Sequence, residues 1–599
     1  MGNDGNGDRR MRTTASRKVS RTTETQLRLF VGERAPLSTD SNKGKIDREA
    51  IEIALGIVAA ETWPSRYKSH KYWGRKPANV VAQYIEFFSD PGDVILDPFS
   101  GSGVTVVEGA RLQRSTIGYD LNPFAVSLAR AMLTPPSPTA FQSAAHHVIE
   151  TVERAISHLY TTRCDACEQP ATVRSIGYCG DQMKEVRYRC SRCRHSASRA
   201  PTSEDFALAA ERVLIPEGAP DADILFGWEM QKLKRRGVTR WSDLFTHRNF
   251  VSAAHLRQAI LAIDDSECRD WLMLSLTASL AQFTKMIADF SGDAGGPSWK
   301  INCYWMPNKW QELNPIWYFE NRINKSIEAG RDLIANGAPF TLGKVEKIDS
   351  RHMPLADESV DYIFTDPPYG GEGIQYGELS LLWCLWLSEQ QDLQSEIAFN
   401  PHRKLDQEHY AQGLRSVFLE CFRVLKPGKW MTVTFANKDP VVWDGLMSAC
   451  RSAGFTLVTA APMKRSAPSL TETTMHTAPK ADLVLSFEKP RAPKELTARS
   501  ECIAEYSLVS AVRRILDALT SASKETTVHD VFDRVTVDWF SWFYENGDRP
   551  NAVQPTLSNV EAALRSLGIS SATATKPDHE SGRARRKAAT TSRPNLNAR

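Results

Sequence analysis

The stretch from Tyr362 to Tyr369 joins a short apolar segment to an aspartate, two prolines and a tyrosine. Its first four residues are all aromatic or β-branched, so they predict a β-strand that ends at Asp366. Pro367 and Pro368 have a fixed φ and no N–H, which stiffens the turn and leaves its carbonyls as acceptors. Ligands bind at the carboxyl ends of strands in open α/β sheets. A carboxylate and a carbonyl beside an aromatic ring suit a planar heterocycle with an exocyclic NH2 group.

A second strand end, far upstream, predicts the partner of this site. Val94 to Asp97 is a short apolar run, followed by Pro98-Phe99-Ser100-Gly101-Ser102-Gly103 and a helical pattern. Glycines at such a turn let a ligand approach the backbone next to a helix N-terminus. The next predicted strand ends at Asp120, and an acid at this place commonly binds ribose hydroxyls. The glycine turn, the ribose acid and the Asp-Pro-Pro-Tyr turn, in this order, predict a divided active site.

With these motifs the chain resembles the S-adenosylmethionine-dependent amino-methyltransferases of DNA, and above all the large adenine-specific methylases that contain a zinc ribbon. The resemblance spans roughly residues 65–130 and 295–490. It implies that S-adenosylmethionine is bound by Lys76, Asp97, Phe99, Ser100, Gly101, Gly103, Asp120, Asn122 and Asp349. It implies that the catalytic residues are Asp366, Pro367, Pro368 and Tyr369.

The alternation of predicted strands and helices indicates an α/β fold with a seven-stranded, mainly parallel, Rossmann-like methyltransferase sheet. An insert that contains a zinc ribbon interrupts this sheet, and the resemblance implies that the final strand is antiparallel. We predict two disordered basic tails, two methyltransferase halves, an insert and a small helical domain. In chain order they are 1–45 (tail), 46–131 (cofactor half), 132–343 (insert), 344–490 (catalytic half), 495–570 (helical domain) and 571–599 (tail).

The insert carries two Cys-x2-Cys pairs. Cys164 and Cys167 precede Cys190 and Cys193, and the residues between the pairs have the pattern of ribbon strands, so we expect a zinc ribbon at about 160–198. Four thiolates in this arrangement can surround one Zn2+ tetrahedrally, and such a closed site is structural. The arginines on these strands make contact with nucleic acid an alternative to a purely structural role, and the insert is the favoured site of target recognition.

The charge of the chain is concentrated at its ends. The net charge is only +3, but residues 1–45 contain ten Lys and Arg against five Asp and Glu, and residues 576–599 contain seven against two. The tails act either as solubilising ends or as loose contacts to phosphates. The sequence lacks an apolar run of about 18 residues and an apolar leader, so we expect a cytoplasmic protein without membrane contact.

These patterns predict that Asp366 and the Pro367 carbonyl accept the two N–H hydrogens of an exocyclic amine while Tyr369 stacks on a base extruded from the duplex. The first interpretation is methylation of adenine N6 in DNA, in a restriction-modification or phage-defence system with possible partner proteins. Cytosine N4 in DNA and guanine N2 in tRNA are alternative targets. A third interpretation is a zinc-dependent nucleic-acid binder without catalysis. The aspartate at position 366 favours adenine over cytosine.

Overall fold

The computed structural model describes a large part of the chain, and both predicted basic tails lie outside it. The described residues are 46, 48–55, 59–225, 227–289, 304–370, 374–437, 439–464, 481–492, 506–521, 528–546, 555 and 557–569. Within them, the residues from Arg48 onward belong to one structural unit.

A seven-stranded sheet forms the centre of the described structure. Its strands are β1 (Val94–Asp97), β2 (Ser115–Asp120), β8 (Gly343–Lys347), β9 (Val360–Thr365), β10 (Leu425–Phe435), β11 (Thr456–Lys464) and β12 (Ala481–Glu488). Their order across the sheet is β11-β12-β10-β9-β1-β2-β8. In this order the strands from β10 to β8 are parallel, whereas β12 runs antiparallel to both β10 and β11. The predicted α/β fold with a mainly parallel seven-stranded sheet is therefore confirmed.

Strands β1 and β9 are direct neighbours although more than two hundred residues separate them in the chain. Leu96 pairs with Ile363, and every residue of β9 is buried. A strand that is covered on both faces needs a continuous apolar run, which is what the sequence has here. Because both strands end at the same edge of the sheet, Asp97 and Asp366 lie at the same edge.

The described part of the chain contains sixteen α-helices. They are α1 (Arg48–Leu55), α2 (Ala78–Phe88), α3 (Val104–Arg111), α4 (Pro123–Leu133), α5 (Pro138–Ile156), α6 (Ser203–Ala210), α7 (Gln231–Lys234), α8 (His247–Leu261), α9 (Ser266–Phe283), α10 (Pro315–Ala335), α11 (Tyr376–Leu387), α12 (Gln407–Val424), α13 (Pro440–Ala453), α14 (Leu508–Ser521), α15 (Val528–Asn546) and α16 (Leu557–Ser566). Short 3-10 helices lie at Ser65–Tyr67, Ser157–Tyr160, Trp241–Leu244 and Pro401–Arg403. The buried side chains of α12 and α13 pack with those of β9, β10 and β12 in one apolar cluster.

A second sheet lies in the segment between β2 and β8. It consists of β3 (Thr161–Arg163), β4 (Pro170–Cys179), β5 (Gln182–Arg189), β6 (Ser196–Arg199) and β7 (Lys309–Leu313), all antiparallel. β7 follows the four ribbon strands by a long stretch of chain and pairs with β4. This pairing fixes the ribbon strands to the rest of the insert.

The C-terminal helices share an apolar cluster of their own, which includes Val512, Val535 and Val560, and one of them also packs on the main sheet. Trp539, Phe540 and Tyr544 of α15 are buried in the same apolar cluster as β10 and β12, and the Tyr544 hydroxyl donates a hydrogen bond to the Phe455 carbonyl at 2.7 Å. Helix α15 thus has one face in the core of the main sheet. The physical reason is its wide aromatic face, which α14 and α16 cover only in part.

None of the described helices is both long and apolar enough to cross a lipid bilayer.

Candidate active site

A cleft opens at the carboxyl edge of the main sheet, where β1, β2 and β9 end. It encloses about 960 Å³, part of which is open to solvent. Nine of the predicted site residues line it: Lys76, Asp97, Phe99, Ser100, Gly101, Asp120, Asp349, Asp366 and Pro368. The structure therefore brings residues of the two predicted halves into one cavity.

The glycine turn after β1 is held by the aspartate that ends β2. The backbone N–H of Gly101 donates to one Asp120 oxygen at 2.8 Å, and the N–H of Asn122 donates to the other at 2.8 Å. Gly103 has φ +79°, and a Cβ at this position would lie 2.6 Å from the Cβ of Ala129. Only glycine fits there, since the backbone is left-handed and packs directly on α4.

Asp97 joins the two halves of the cleft. Its Oδ1 accepts hydrogen bonds from the Phe99 N–H at 3.1 Å and from the Thr365 hydroxyl at 2.9 Å. Burial raises the pKa of Asp97 to about 6, and burial likewise raises the pKa of Asp120 to about 6. Buried acids with raised pKa values in a cleft are typical of functional sites.

Several observations test whether the cleft suits S-adenosylmethionine. The Ser100 hydroxyl is buried in the wall of the cleft and has no hydrogen-bond partner among the described residues. The glycine turn brings backbone close to the cavity, and Asp120 lies at the end of β2. A buried hydroxyl without a partner, a glycine turn and an acid fit a polar adenosine-containing ligand.

Two predicted cofactor residues have other partners. Asn122 does not line the cleft; its side chain caps α4 through the Phe124 N–H and donates to the Ser380 hydroxyl at 2.8 Å. Asp349 lines the cleft and forms a 2.6 Å ion pair with Arg351. Asn122 is thus placed to fix the turn, and Asp349 is held in position by its arginine.

The Asp-Pro-Pro-Tyr turn is held by two side chains from neighbouring elements. The Tyr410 hydroxyl donates to the Pro368 carbonyl at 2.7 Å, and the Asn437 side chain donates to the Tyr369 carbonyl. The Pro367 carbonyl accepts no hydrogen bond within the described part of the chain. The Pro367 carbonyl, which the sequence predicts as an acceptor, is therefore the carbonyl of this turn that has no hydrogen bond among the described residues.

Asp366 is the carboxylate of this turn. Its Oδ1 is buried and lies 3.2 Å from the Lys76 ammonium, but the described residues make no hydrogen bond to it. Burial raises the pKa of Asp366 to about 7, and the nearby Lys76 charge opposes this rise. A buried acceptor without a hydrogen bond is costly unless a ligand completes it.

Lys76 lines the cleft, and its ammonium lies at the turn that carries Asp366. Its ammonium contacts Asp366, donates to Asp482 at 3.0 Å and donates to the Tyr369 hydroxyl. Burial alone lowers the pKa of Lys76, but the two carboxylates raise it well above its usual value. Arg75, the preceding residue, reaches instead to the glycine turn, where it donates to the Ser102 hydroxyl at 2.8 Å.

The four predicted metal ligands come together at one end of the ribbon. The sulfur atoms of Cys164, Cys167, Cys190 and Cys193 all lie within 4.8 Å of one another. The Cys164–Cys193 and Cys167–Cys190 sulfur pairs are each 3.6 Å apart. Thiolates at about 2.3 Å from a tetrahedral Zn2+ are about 3.8 Å apart, so this geometry suits zinc.

Comparison with known proteins finds a family model that matches one part of this cleft. Residues 34–131 match the model of the N6/N4 type described as DNA methylase. The resemblance to the DNA amino-methyltransferases is confirmed. The matched residues include the glycine turn and Asp120 and end before Asp349 and the Asp366 turn.

Individual relatives agree with this family. The type II methyltransferase M.MvaI of Kocuria varians is 21% identical over 351 residues, which are 57% of this chain and 62% of that protein. M1.MboII of Moraxella bovis is 30% identical over 89 residues, or 13% of this chain and 34% of the relative. M.MjaII of Methanocaldococcus jannaschii is 34% identical over 64 residues, 11% of this chain and 12% of the relative. The chain spans less than two thirds of the length of each of these relatives.

Sequence reasoning missed several side chains of this cleft, among them Tyr72, Arg75, Tyr376 and Glu396. Tyr72 and Arg75 lie within four residues of the predicted Lys76 in the chain. Glu396 lies in an irregular loop, where the Gly377 N–H and Arg403 hold its carboxylate, both at 2.9 Å, and no sequence pattern indicates it.

Proposed function

We propose that this protein is a DNA methyltransferase that transfers a methyl group from S-adenosylmethionine to the exocyclic N6 amine of an adenine extruded from the duplex. The observation that carries this proposal is the pair of open acceptors at the carboxyl end of β9. The buried Asp366 Oδ1 and the Pro367 carbonyl both lack hydrogen bonds among the described residues, and Asp366 shares the cleft with the glycine turn. An amino group has two hydrogens to donate to them.

These acceptors act on the nucleophile. The lone pair of an exocyclic amine is delocalised into the ring, so the amine is a weak nucleophile. When Asp366 and the Pro367 carbonyl accept its two hydrogens, they favour a pyramidal nitrogen whose lone pair points away from them. Asp366 then takes the proton that the nitrogen releases, for which its raised pKa suits it.

S-adenosylmethionine, when bound, supplies an activated methyl group and a good leaving group. The protein therefore contributes mainly alignment and electrostatics. Asp120, Ser100 and the Gly101–Gly103 turn are the residues that would hold the cofactor, and Tyr369 would stack on the extruded base. No protein nucleophile takes part in this scheme.

Adenine is proposed over cytosine because the turn begins with an aspartate. Cytosine N4 in DNA is the second candidate, because the same two acceptors suit its amine. Two other interpretations, methylation of guanine N2 in tRNA and a non-catalytic zinc-dependent binder, are tested by the methyl-transfer experiment described below. The position of Asp366 in one cleft with the glycine turn favours an enzyme over a binder.

The segment 132–343 is proposed as the target-recognition region, with structural Zn2+ in its ribbon at about 160–198. Its cluster of four cysteine sulfurs and its arginine-bearing strands support this assignment. The restriction-modification role, the partner proteins that such a system implies and a cytoplasmic location are proposed from the type II relatives.

The test is methyl transfer from labelled S-adenosylmethionine to duplex DNA or tRNA, followed by identification of the methylated nucleoside. We expect N6-methyladenine in DNA; label found only in RNA, or no transfer to either, would overturn the proposal. Asp366→Ala should abolish transfer and leave cofactor affinity within about three-fold. The matched control is Asp361→Ala, at the opposite end of the same strand, where Lys426 pairs with the carboxylate at 2.8 Å.

A further inference from the structure

A buried cluster of charges lies beneath the Asp-Pro-Pro-Tyr turn. At its centre is the Lys76 ammonium, whose side chain is only 6% exposed. Three oxygens surround it: Asp366 Oδ1 at 3.2 Å, Asp482 Oδ2 at 3.0 Å and the Tyr369 hydroxyl. These contacts bring together the segment before α2, the end of β9 and the start of β12.

We propose that Lys76 and Asp482 are positioning residues of the catalytic turn, where Asp482 anchors the Lys76 ammonium and Lys76 holds Asp366 in place as a carboxylate. This inference rests on the proposed methyl transfer and deepens it. It assigns Lys76 to the methyl acceptor, whereas the sequence resemblance assigns this residue to the cofactor. It also adds Asp482, which no motif indicates.

The geometry explains why a lysine is needed here. Asp366 lies at the floor of a cleft, and burial favours its protonated form. A protonated Asp366 would present an O–H to the amine and would accept its hydrogens and its proton poorly. The ammonium at 3.2 Å from Oδ1 favours the carboxylate form of Asp366, because its positive charge opposes protonation.

Asp482 shifts the pKa of Asp366 in the opposite direction to Lys76, and it also holds the Lys76 ammonium. Its negative charge acts to raise the pKa of Asp366, whereas its bond to Lys76 fixes the ammonium between the two acids. Among the described residues, the titratable and charged groups that face Asp366 are Lys76, Asp482, Asp97, Tyr369, Tyr376 and Tyr410. Among these, Lys76 is the positive charge.

The two charges therefore predict pH shifts of opposite sign. Lys76→Met removes the ammonium, so the acid limb of single-turnover methyl transfer should move to higher pH by about one unit or more. Asp482→Asn removes the second carboxylate, so that limb should move to lower pH. Equilibrium affinity for S-adenosylmethionine, measured by titration calorimetry at pH 8, should change by less than about three-fold in both variants. Lys76→Arg should restore the wild-type limb in part, because it keeps the charge.

Two matched controls separate this role from general damage to the fold. Lys489→Met removes another buried lysine, whose ammonium binds the Phe422 and Leu425 carbonyls at 2.8 and 2.7 Å. Asp361→Asn removes another buried carboxylate that pairs with a lysine. Both controls should leave the pH profile in place, even where they lower the melting temperature.

The inference is overturned if neither Lys76→Met nor Asp482→Asn moves the acid limb, or if both move it in the same direction. If Lys76→Met loses ten-fold or more in cofactor affinity while the acid limb of the pH profile stays in place, Lys76 is a cofactor-binding residue instead. A wild-type protein that transfers no methyl group to DNA or RNA overturns the proposed function itself. An active wild type with unshifted variants overturns only this inference.

Discussion

The Tyr410 hydroxyl donates a hydrogen bond to the carbonyl of Pro368, 2.7 Å away and forty-two positions earlier in the chain. The ring of Tyr410 also lies under Gly370, where φ is +57° and a Cβ would come within 2.6 Å of the ring. One side chain of α12 thus supports the proline turn from below. Because this bond occupies the Pro368 carbonyl, it leaves the preceding carbonyl as the open acceptor.

Tyr410→Phe is expected to lower the rate of methyl transfer about ten-fold, because the turn loses the bond that orients its carbonyls. Loss of one buried hydrogen bond should also cost about 1 kcal/mol of unfolding free energy. Tyr544→Phe removes a similar bond, to the Phe455 carbonyl, away from the cleft. Single-turnover kinetics and urea unfolding of both variants check this; an equal loss of rate in both would contradict it.

Gly103→Ala is expected to weaken S-adenosylmethionine binding and to destabilise the fold. A left-handed backbone costs a residue with a side chain about 1–2 kcal/mol, and the new methyl would overlap Ala129. Gly92→Ala is the control, because Gly92 has φ +91° but no described atom within 4 Å of an added Cβ. Calorimetric titration should show a loss of affinity for S-adenosylmethionine in Gly103→Ala and not in Gly92→Ala. Urea unfolding measures the stability of both variants. Equal behaviour would mean that backbone strain, not packing on α4, decides the effect.

Asp97→Asn is expected to change how stability depends on pH. Burial raises the native pKa of Asp97 from 3.8 to about 6, so the native state binds more protons and the unfolding free energy falls as pH rises through this range. That pKa shift corresponds to about 3 kcal/mol of unfolding free energy. In Asp97→Asn the unfolding free energy should therefore fall by that much less between about pH 4 and 7.

Asp361→Asn should show the opposite trend. Burial acts to raise the pKa of Asp361, but Lys426 and Lys429 outweigh it and hold that pKa below its usual value. Asp361 therefore stabilises the native state near pH 7 and loses this effect as pH falls through its native pKa. Urea unfolding of both variants at about pH 2.5, 4, 5.5 and 7 measures the Asp361 slope below pH 4 and the Asp97 slope above it, and slopes of the same sign would refute the assignment.

Cys167→Ser is expected to lower the zinc content of the purified protein, from about one ion per chain, and to reduce its melting temperature. The serine hydroxyl is a poor ligand for Zn2+, and structural sites contribute directly to folding. Cys179→Ser is the control, since Cys179 lies at the far end of β4 and outside the four-sulfur cluster. Elemental analysis measures the zinc content of the two variants, and equal zinc in both would contradict the assignment of the four cysteines as a zinc site.

The elements that sequence reasoning predicted well are those with local signals. β9 is an apolar run that prolines bring to an end, and β1 runs directly into the glycine turn. Because central parallel strands are buried on both faces, their burial follows from their apolar composition. Both strands run into turns typical of ligand sites, and such turns lie at the carboxyl edge of a parallel sheet. The meeting of Asp97 and Asp366 at one edge could therefore be predicted.

The direction of individual side chains could not be predicted in the same way. Arg75 and Lys76 are neighbours in one motif, yet Arg75 contacts the glycine turn and Lys76 contacts the catalytic turn. Asp482 reaches Lys76 only because β12 lies antiparallel beside β10. Such contacts depend on tertiary packing across distant segments and leave no periodic signal.

The aromatic face of α15 shows a related limit. Its spacing predicts a helix with an apolar side, and the helix is present. Spacing does not say which surface covers that side, and Trp539 and Phe540 pack into the core of the main sheet.

The hydrogen bond between the Thr365 hydroxyl and Asp97 spans the two halves of the cleft, next to the paired backbones of β1 and β9. The two turns that follow these strands are consequently tied together at their starting points, by this side-chain bond and by the pairing of the strands. For the proposed reaction, donor and acceptor would be aligned by folding itself and not by domain closure around the substrate. Discrimination between a correct and an incorrect DNA site would then be exercised before chemistry, in the step that extrudes the base.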